Sequence, residues 1–466
     1  MRGPSRFFES ATDSPAVRLS VLTEHSFRPW VDSAAPSARI WCSAMLFRAA
    51  AGQICLLPDE NGLPRHMLAG VRALGFWNFC AMVSHLPPGK YRLDGELPKA
   101  KTSAFLLAWA YAQYSYHFRN SDSSPQDKIL LVDEIDPLCE PIALAHCLGI
   151  ARGLIDSPAN ELGPIDLAST AASLMTNAGA NAEIVRGEQL VRRYPCIDVV
   201  GRSSSREPCL ADICWGDDDL PKVTIVGKGI CFDTGGLNAK SSQGMRQMKR
   251  DMGGAAIALG LALLIIRSKL PVRLRLLLPC AENSISSTSM RPGDVITTAS
   301  GKSVEIGNTD AEGRLLLCDA LTEACRDAPD LIVDIATLTA GARAALGPQI
   351  GALFSNDREL GNSIATISLE AEDPLWQLPL WPAYRGWLDS PVADINSTSD
   401  KGMAGAMVAA LYLSEFVPTN IPWVHLDVMA WNPHGEPGRP VGAEPTGLRA
   451  LYFFLKQRYP CRTPSN

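Results

Sequence analysis

The sequence lacks most of the short signatures that assign a chemistry at once. Its 466 residues contain no HExxH, no GxSxG and no GxxxxGK[ST] segment, which argues against a zincin, an α/β-hydrolase nucleophile and a P-loop NTPase. GKGICF lacks the third glycine of a dinucleotide fingerprint. The seven His are dispersed, and His425 in a strand-like run is predicted to be packed and hydrogen-bonded rather than a ligand. Hydrolytic chemistry, if present, must therefore rest on carboxylates, lysines and bound ions.

The chain also has no long hydrophobic run, no excess of basic residues and no CxxC pair. Its longest clean apolar run, Gly253–Ile266, is shorter than the ~20 residues that cross a bilayer, and the first residues contain no apolar core of a secretory signal. A net charge of −6 argues against nucleic acid or anionic membranes as main partners. Thirteen scattered Cys predict buried thiols rather than disulfides or a thiolate metal site. We therefore expect a soluble, cytoplasmic protein.

The spacing of apolar residues divides the chain into three stretches. Residues 1–140 hold short apolar runs between Pro- and Gly-containing turns, which is typical of a small α/β domain. Residues 141–160 have helical spacing and are predicted to form a linking helix. Residues 161–466 alternate strand-like and helix-like runs, which predicts a larger α/β domain with a mainly parallel sheet covered by helices.

One segment places a carboxylate where α/β sheets bind ligands. Asp233 follows an apolar strand candidate and precedes a Gly-Gly pair, the usual position of a ligand-binding loop in such sheets. A continuous strand would put Lys228 and Asp233 on opposite faces, so they converge only if the chain bends, for which Gly229 is suited. Two further charged residues follow in this stretch: Lys240 and Asp251. A plain strand-to-loop turn with solvated lysines explains the same pattern equally well.

A second segment, NTDAEGRL, groups two carboxylates with a guanidinium. In an extended loop Asp310, Glu312 and Arg314 would face one way, because they lie two residues apart. The alternative is a helix start, since Thr309-x-x-Glu312 before an apolar run is a capping-box pattern. Gly313 is a poor residue for a first helical turn. Both interpretations can hold, because a loop and a helix start can share these residues.

These segments resemble the leucyl aminopeptidase (cytosol aminopeptidase) family. NTDAEGRL is similar to the family signature, and VGKGICFDTGG and RDMGGAA are similar to its metal-binding segments. SPANELGP, RPGDVITTASGK, DIATLT and HLD extend the similarity over roughly residues 100–450, whereas the first hundred residues do not visibly match. The resemblance implies an N-terminal α/β domain, a linking helix and a C-terminal catalytic α/β domain. It also implies a metal-dependent aminopeptidase assembled as a homohexamer.

The resemblance implies a two-metal site. Five residues match the family's ligands of two divalent ions: Lys228, Asp233, Asp251, Asp310 and Glu312. Asp233 and Glu312 match the residues that bridge both ions. Lys240 matches the lysine that polarises the scissile carbonyl, and Arg314 matches the arginine that holds a bicarbonate acting as general base. Oxygen-rich ligands without thiolate or imidazole suit Zn²⁺, Mn²⁺ or Mg²⁺.

By the same resemblance, Met248, Thr337 and Ala340 line the pocket for the first side chain of the substrate. Met429 is a further candidate. The pocket is apolar and no counter-charge is visible in it, so we expect Leu and Met to be preferred first residues and Asp or Glu to be poor ones. The chain departs from the common family pattern at three positions that are not ligands: Asn238, Ala239 and Ser241.

Two other classes of protein compete with this hypothesis. A DNA-binding regulator is disfavoured by the mild acidity of the chain. A two-metal phosphatase or nuclease also binds its metal ions through carboxylates. Assays with a phosphate ester and with an aminoacyl substrate distinguish it from an aminopeptidase.

Overall fold

Two groups of elements account for the architecture of the computed structural model, which describes residues 3–10, 15–116, 127–133 and 140–461. The first unit comprises Met1–Gly149 with Pro433–Val441. The second unit comprises Ile150–Asn432 with Gly442–Asn466. The limits of the predicted domains, 1–140, 141–160 and 161–466, remain a prediction.

The first unit is built on a six-stranded sheet. Its strands are β1 (Phe8–Ser10), β2 (Val17–Leu22), β3 (Ile54–Pro58), β4 (Pro64–Gly70), β5 (Gly89–Leu93) and β6 (Lys128–Val132). Its helices are α1 (Glu24–Ser33), α2 (Pro36–Ala44), α3 (Phe76–His85) and α4 (Lys99–Tyr111), and a 3₁₀ helix spans Pro4–Phe7. The strand order is β1-β6-β5-β2-β4-β3, and neighbours run parallel except β3 and β4. The helices α3 and α4 pack together through Phe79 and Phe105, whose ring centroids lie 5.5 Å apart. The smaller α/β architecture is confirmed.

A long helix, α5 (Glu140–Asp156), occupies much of the stretch predicted to link the domains. It ends at Asp156, immediately before the Ser157-Pro158 pair. Proline disfavours helical geometry in the residue before it, which explains the position of this end.

The second unit contains the remaining elements. Its strands are β7 (Asn181–Arg186), β8 (Cys209–Trp215), β9 (Lys222–Gly227), β10 (Gly229–Asp233), β11 (Arg273–Asn283), β12 (Val295–Thr297), β13 (Ser303–Glu305), β14 (Leu331–Ala336), β15 (Gly351–Ser355), β16 (Leu375–Gln377), β17 (Ile395–Asn396), β18 (Trp423–Asp427), β19 (Trp431–Asn432) and β20 (Gly442–Ala443). Its helices are α6 (Pro164–Asn177), α7 (Gly187–Arg193), α8 (Pro195–Gly201), α9 (Ser242–Met245), α10 (Gly253–Arg267), α11 (Glu312–Cys325), α12 (Ala340–Leu346), α13 (Arg358–Glu370), α14 (Gly405–Ser414) and α15 (Leu448–Arg458). Two 3₁₀ helices span Met248–Met252 and Pro382–Leu388.

The main sheet of this unit is parallel at its centre. The strand order is β16-β15-β18-β14-β9-β11-β8-β7, with β10 paired to β11 off this path. The strands β18, β14, β9, β11 and β10 run parallel, and the antiparallel pairs are β15–β18, β11–β8 and β7–β8. The carboxyl ends of the parallel strands therefore meet at one edge, where open α/β sheets bind ligands.

Helices cover this sheet. The apolar run Gly253–Ile266 forms most of α10, which is buried on all sides because it packs against β9, β14, β11 and α15. A helix apolar all round is expected in such a position. On the other helical layer, α11 packs against β9, β11 and α8. The predicted parallel sheet covered by helices is confirmed.

No helix within the described ranges has both the length and the apolar character that crossing a membrane requires. The described cysteines are all free thiols, most of them buried, as the sequence predicted.

Candidate metal centre

The chain bends between Lys228 and Asp233, so that both reach the same edge of the sheet. The apolar strand candidate that precedes Asp233 is in fact two strands, β9 and β10, which are separated at Lys228. The Lys228 N–H donates to the Ile335 carbonyl at 3.0 Å, and β10 pairs with β11 through a register shift. A Cβ at Gly229 would lie 2.6 Å from the Pro279 carbonyl oxygen, so the bend requires glycine. The predicted bend is confirmed.

Asp233 ends β10 and begins a tight loop. Its Oδ1 accepts hydrogen bonds of 2.8 Å from the Gly235 N–H and from Nδ2 of Asn283. Gly235 has φ +87° and Gly236 has φ +63°, a region that favours glycine. A Cβ at Gly235 would also lie 2.9 Å from Oδ1 of Asp310, so this glycine lets the two motif loops approach.

The NTDAEGRL segment is a loop followed directly by a helix. The helix α11 begins at Glu312, so Glu312 and Arg314 lie in its first turn and the extended spacing predicted for them is wrong. The predicted helix start is confirmed, but the capping box is wrong, because the Thr309 hydroxyl donates to the Gly235 carbonyl at 2.7 Å and accepts from the Asn238 N–H at 2.8 Å. Thr309 therefore holds the two motif loops together instead of capping α11.

Gly313 is required by its contact with a lysine. A Cβ at this position would lie 2.4 Å from Cε of Lys228. The first turn of α11 can therefore pass over the buried lysine only with glycine at this residue. This packing explains a residue that is unfavourable for helix formation.

The structure brings all of the predicted site residues to one cavity of about 250 Å³ within the second unit. These residues are Lys228, Asp233, Lys240, Met248, Asp251, Asp310, Glu312, Arg314, Thr337 and Ala340. Met429, the further candidate for the pocket, is not among the residues that line it. His425 lies in the core, where its Nδ1 contacts Oδ1 of Asp334 at 2.5 Å, so its predicted packed role is confirmed.

Two lysines lie among the carboxylates of the cavity. Nζ of Lys228 is 2.7 Å from Oδ2 of Asp251 and 3.1 Å from Oε1 of Glu312. Nζ of Lys240 is 2.6 Å from Oδ2 of Asp233 and forms a second short contact with Asp310. Each lysine therefore joins carboxylates from two different elements.

Burial dominates the ionisation of the site. It raises the pKa of Glu312 to about 8, and the neighbouring Asp233 carboxylate adds to this shift. It also raises the pKa of Asp233. Burial alone would lower the pKa of Lys228, but the Asp251 and Glu312 carboxylates outweigh it, and the pKa lies above its ordinary value. Burial thus favours the neutral forms of the Glu312 and Asp233 carboxyl groups, although both lysines lie close to them.

Divalent cations fit this donor set. Carboxylate oxygens of Asp233, Asp251 and Glu312 lie within 4.8 Å of one another, and all three residues are buried. Asp310 lies at the exposed rim and contacts this group through Lys240. Closely spaced, desolvated carboxylates are the ligands that hard divalent cations prefer, and a bound cation removes their repulsion.

A second group of potential ligands, Cys196, Cys318 and Asp319, has a structural explanation. The Asp319 carboxylate accepts hydrogen bonds of 2.8 Å from the backbone N–H groups of Cys196 and Ala299. A hydrogen bond between the two thiols, together with burial, raises the pKa of Cys196, which disfavours the thiolate that a metal needs. This group is therefore part of the core.

Several residues of the site were missed from the sequence. Asn283 orients Asp233 and follows the apolar run of β11, so its position at a strand end was the available signal. Asp427 accepts from the N–H groups of Leu338 and Thr339 at the start of α12. Only HLD, a segment of the resemblance, pointed to Asp427.

Two arginines at the cavity overturn the expectation that it has no counter-charge. Arg250 and Arg343 both line it. Burial lowers the pKa of Arg250 to about 10, and the positive charge of Arg343 contributes to that shift. Arg250 therefore remains cationic at neutral pH. The reason for which Asp and Glu were expected to be poor first residues is therefore wrong.

Sequence and structure comparisons agree on one family. The family described as "Cytosol aminopeptidase family, catalytic domain" matches residues 149–452. A second family, described as "M17 aminopeptidase, N-terminal domain", matches residues 17–132, so the similarity also includes most of the first hundred residues, where none was visible. No visible motif signalled that match.

The chain is similar to named relatives. A probable cytosol aminopeptidase of Rhodococcus jostii (strain RHA1) is 40% identical over 318 residues, 67% of this chain and 62% of the relative. The match to a probable cytosol aminopeptidase of Xanthomonas oryzae pv. oryzae (strain MAFF 311018) is 40% identical and covers 69% of this chain and 66% of that relative. The matched stretch thus spans less than two thirds of these relatives' length.

Solved structures extend the similarity to nearly the whole chain. The crystal structure of a cytosol aminopeptidase from Coxiella burnetii has a TM-score of 0.94 at 41% identity, and the match covers 97% of this chain and 100% of that one. The bottromycin maturation enzyme BotP in complex with Mn has a TM-score of 0.85 at 31% identity, covering 96% and 100%. Together with the motif loops that meet at the cavity, these matches show that the chain belongs to the cytosol aminopeptidase family, whose members are metal-dependent exopeptidases.

Proposed function

We propose that this protein releases N-terminal residues from peptides, using water activated by two divalent ions. The observation that carries the proposal is the buried group of Asp233, Asp251 and Glu312 beside Lys228. When bound, two adjacent dications lower the pKa of a shared water and stabilise the oxyanion that forms on the scissile carbonyl.

The ligands in this proposal are Lys228, Asp233, Asp251, Asp310 and Glu312. By the resemblance, Asp233 and Glu312 would serve both ions, and both line the cavity. Lys228 can bind a metal only as the neutral amine, and adjacent dications would favour that form. Zn²⁺ and Mn²⁺ are the leading candidates, with Mg²⁺ as a third. The complex of the related BotP with Mn supports trying Mn²⁺ first.

The surrounding residues fix the ligands before any substrate binds. The Asn283 amide and the Gly235 N–H hold Asp233, and the Thr337 hydroxyl holds Asp251. Partners of this kind orient metal ligands and tune metal affinity. The site is thus preorganised by Asn283 at the end of β11, by Thr337 directly after β14 and by the loop after β10.

Lys240 and Arg314 are assigned to catalysis in this proposal. Lys240 lies at the cavity and can donate to the carbonyl oxygen as negative charge develops there. Arg314 is buried, its Nη1 donates to the Ser397 carbonyl, and its Nε has no hydrogen-bond partner among the described residues. Arg314 would hold a bicarbonate that accepts the proton of the attacking water.

Met248, Thr337 and Ala340 supply the wall for the first side chain of the peptide. Its small, apolar surfaces favour Leu and Met there. We also propose that the protein is cytoplasmic and assembles as a homohexamer, in line with the resemblance, which light scattering on the purified protein would test.

The central experiment is a substrate panel on protein loaded with Mn²⁺ or Zn²⁺. Leu-, Met-, Phe- and Asp-p-nitroanilide report the first-residue preference, and Nα-acetyl-Leu-p-nitroanilide reports the need for a free amine. We expect Leu and Met to be fastest and the acetylated substrate to be inert. Turnover of p-nitrophenyl phosphate with none of the aminoacyl substrates would replace the proposal with a two-metal phosphatase.

Ala340→Gly tests the pocket assignment. Removing the methyl group of Ala340 widens the pocket. The rate for Phe relative to Leu should therefore rise several-fold, because one methylene of misfit between side chain and pocket is worth ~1–3 kcal/mol. Ala342→Gly, in the same helix but outside the cavity lining, is the matched control. An unchanged profile in Ala340→Gly would remove Ala340 from the pocket.

A further inference from the structure

The lysines and the arginines that line the cavity differ in their partners. Both lysines form ion pairs with carboxylates. The three arginines form no ion pair with a carboxylate of the described residues: Arg250, Arg314 and Arg343. Arg314 is already assigned in the proposed function. Arg250 and Arg343 have no assigned role.

Arg250 is a buried cation with unused hydrogen-bonding capacity. Only 4% of the residue is exposed, its Nη1 donates to the Met429 carbonyl at 2.8 Å, and its Nε has no partner among the described residues. A guanidinium group has five donors in a fixed plane. Burial of such a group is costly unless an anion or acceptors satisfy it.

Arg343 adds a second cation on the same cavity. It lies in α12, which starts at Ala340 on the cavity wall, so Arg250 and Arg343 line the same cavity of about 250 Å³. Two like charges in a partly desolvated site repel each other, so their juxtaposition favours an anion that contacts both. The site therefore has an anion-binding character separate from its metal-binding carboxylates.

The nearby carboxylates do not supply that anion. Asp251 is engaged by Lys228 and by the Thr337 hydroxyl. Asp427 accepts from two backbone N–H groups and from the Thr339 hydroxyl at 2.6 Å. Both carboxylates are thus committed to other donors, and the anion must come from a molecule that enters the cavity.

We propose that Arg250 and Arg343 bind a carboxylate of the peptide substrate. This inference rests on the proposed function and specifies its substrate class: short peptides that carry a carboxylate near the cleaved bond. Planar guanidinium groups match carboxylates through paired, charge-assisted hydrogen bonds. The carboxylate can be an acidic side chain or the C-terminus of a dipeptide, and the chemistry of recognition is the same for both.

Three matched substrate pairs distinguish these sources. Leu-Gly against Leu-Gly-amide tests the C-terminal carboxylate, Leu-Glu-amide against Leu-Gln-amide tests the second side chain, and Glu-Gly-amide against Gln-Gly-amide tests the first. For each pair the ratio of kcat/KM is measured in the Mn²⁺-loaded wild type, Arg343→Leu and Arg250→Met. Thermal unfolding of each variant identifies any that fails to fold. Arg343→Leu therefore still tests the inference if the buried Arg250→Met variant does not fold.

Arg246→Leu is the matched control, because Arg246 is an exposed arginine of the same segment that does not line the cavity. We expect one pair to favour the carboxylate about ten- to a hundredfold in the wild type, as a hydrogen bond to a charged group is worth ~1.5–3 kcal/mol. The ratio should fall to within about threefold of unity in Arg343→Leu and persist in Arg246→Leu. Ratios near unity for all three pairs in the wild type, or a ratio that survives in both cavity variants, would refute the inference.

The proposed function can fail separately. If Leu-Gly-amide is not hydrolysed with any of the three metals, the aminopeptidase proposal is wrong. Calorimetric titration of the same peptide pairs into the folded protein then tests the inference alone. Tighter binding of the carboxylate member that is lost in Arg343→Leu would support it, and equal binding of both members would contradict it.

Discussion

The Thr337 hydroxyl donates a hydrogen bond of 2.7 Å to Oδ1 of Asp251. The Thr337 carbonyl also accepts from Nζ of Lys228 at 3.0 Å, so one residue at the end of β14 fixes two candidate ligands. It does this while lining the cavity. Positioning of ligands and shaping of the pocket are therefore coupled at this residue.

Thr337→Val should weaken metal binding. The substitution keeps the shape of the side chain and removes the hydrogen bond to Asp251, and loss of such a partner typically costs 10–100-fold in metal affinity. Competition with a metal-binding dye measures the effect. Thr366→Val, on the exposed surface of α13, removes a hydroxyl with no expected change. Equal affinities in the two variants would show that Asp251 is oriented without Thr337.

Glu312→Gln should abolish activity and leave the fold intact. The amide is isosteric with the carboxylate but cannot serve as an anionic ligand to both ions. Plasma emission should find fewer than two ions per chain, and circular dichroism should be unchanged. Asp233→Ala, at the other bridging carboxylate, should also be inactive. Near-wild-type turnover with two bound ions in either variant would show that the assignment is wrong.

Glu323→Gln is the control for Glu312→Gln because both residues lie in α11. Glu323 is buried and pairs with Arg275 at 2.9 Å, outside the cavity. Its replacement should lower the free energy of unfolding while metal content and turnover per folded molecule stay unchanged.

Lys240→Ala should lower kcat without removing metal. Loss of a donor to the developing oxyanion typically costs ~10²–10³-fold. Arg314→Ala should be milder, because buffer anions can partly replace a held bicarbonate. Metal content near two per chain in both variants is expected. Loss of one ion in Lys240→Ala would instead place this residue among the metal ligands.

Asp427→Asn should destabilise the protein and disturb the cavity together. The carboxylate accepts hydrogen bonds from two N–H groups at the start of α12 and from the Thr339 hydroxyl. Weakening these hydrogen bonds should lower the free energy of unfolding by ~1–3 kcal/mol. Urea unfolding measures the loss, and the Phe-to-Leu rate ratio reports the displaced wall at Ala340. Asp357→Asn, at the exposed N-cap of α13, keeps a good N-cap residue and should leave both the stability and that ratio nearly unchanged.

The sequence by itself determined the motif loops and the ligand types they carry. Lys228 and Asp233 lie on one short segment and Asp310 and Glu312 on another, and the resemblance to the family, rather than the local pattern alone, marked them as candidate ligands. The bend at Gly229 also followed from strand periodicity, because two residues five apart cannot otherwise share a face. The alternation of apolar runs likewise predicted the parallel sheet and its helical cover.

Only the tertiary structure decided what surrounds those ligands. Thr309 could cap a helix or bind a neighbouring loop, and the approach of Gly235 and Asn238, about 70 residues away, settled the choice. A sequence window gives no reason to single out Arg250 and Arg343, and they line one cavity because the carboxyl ends of parallel strands meet at one edge of the sheet. Periodicity reports which face of an element a side chain occupies but not which distant element lies opposite it. For that reason the two arginines at the cavity could not be predicted from the sequence and became visible only in the tertiary structure.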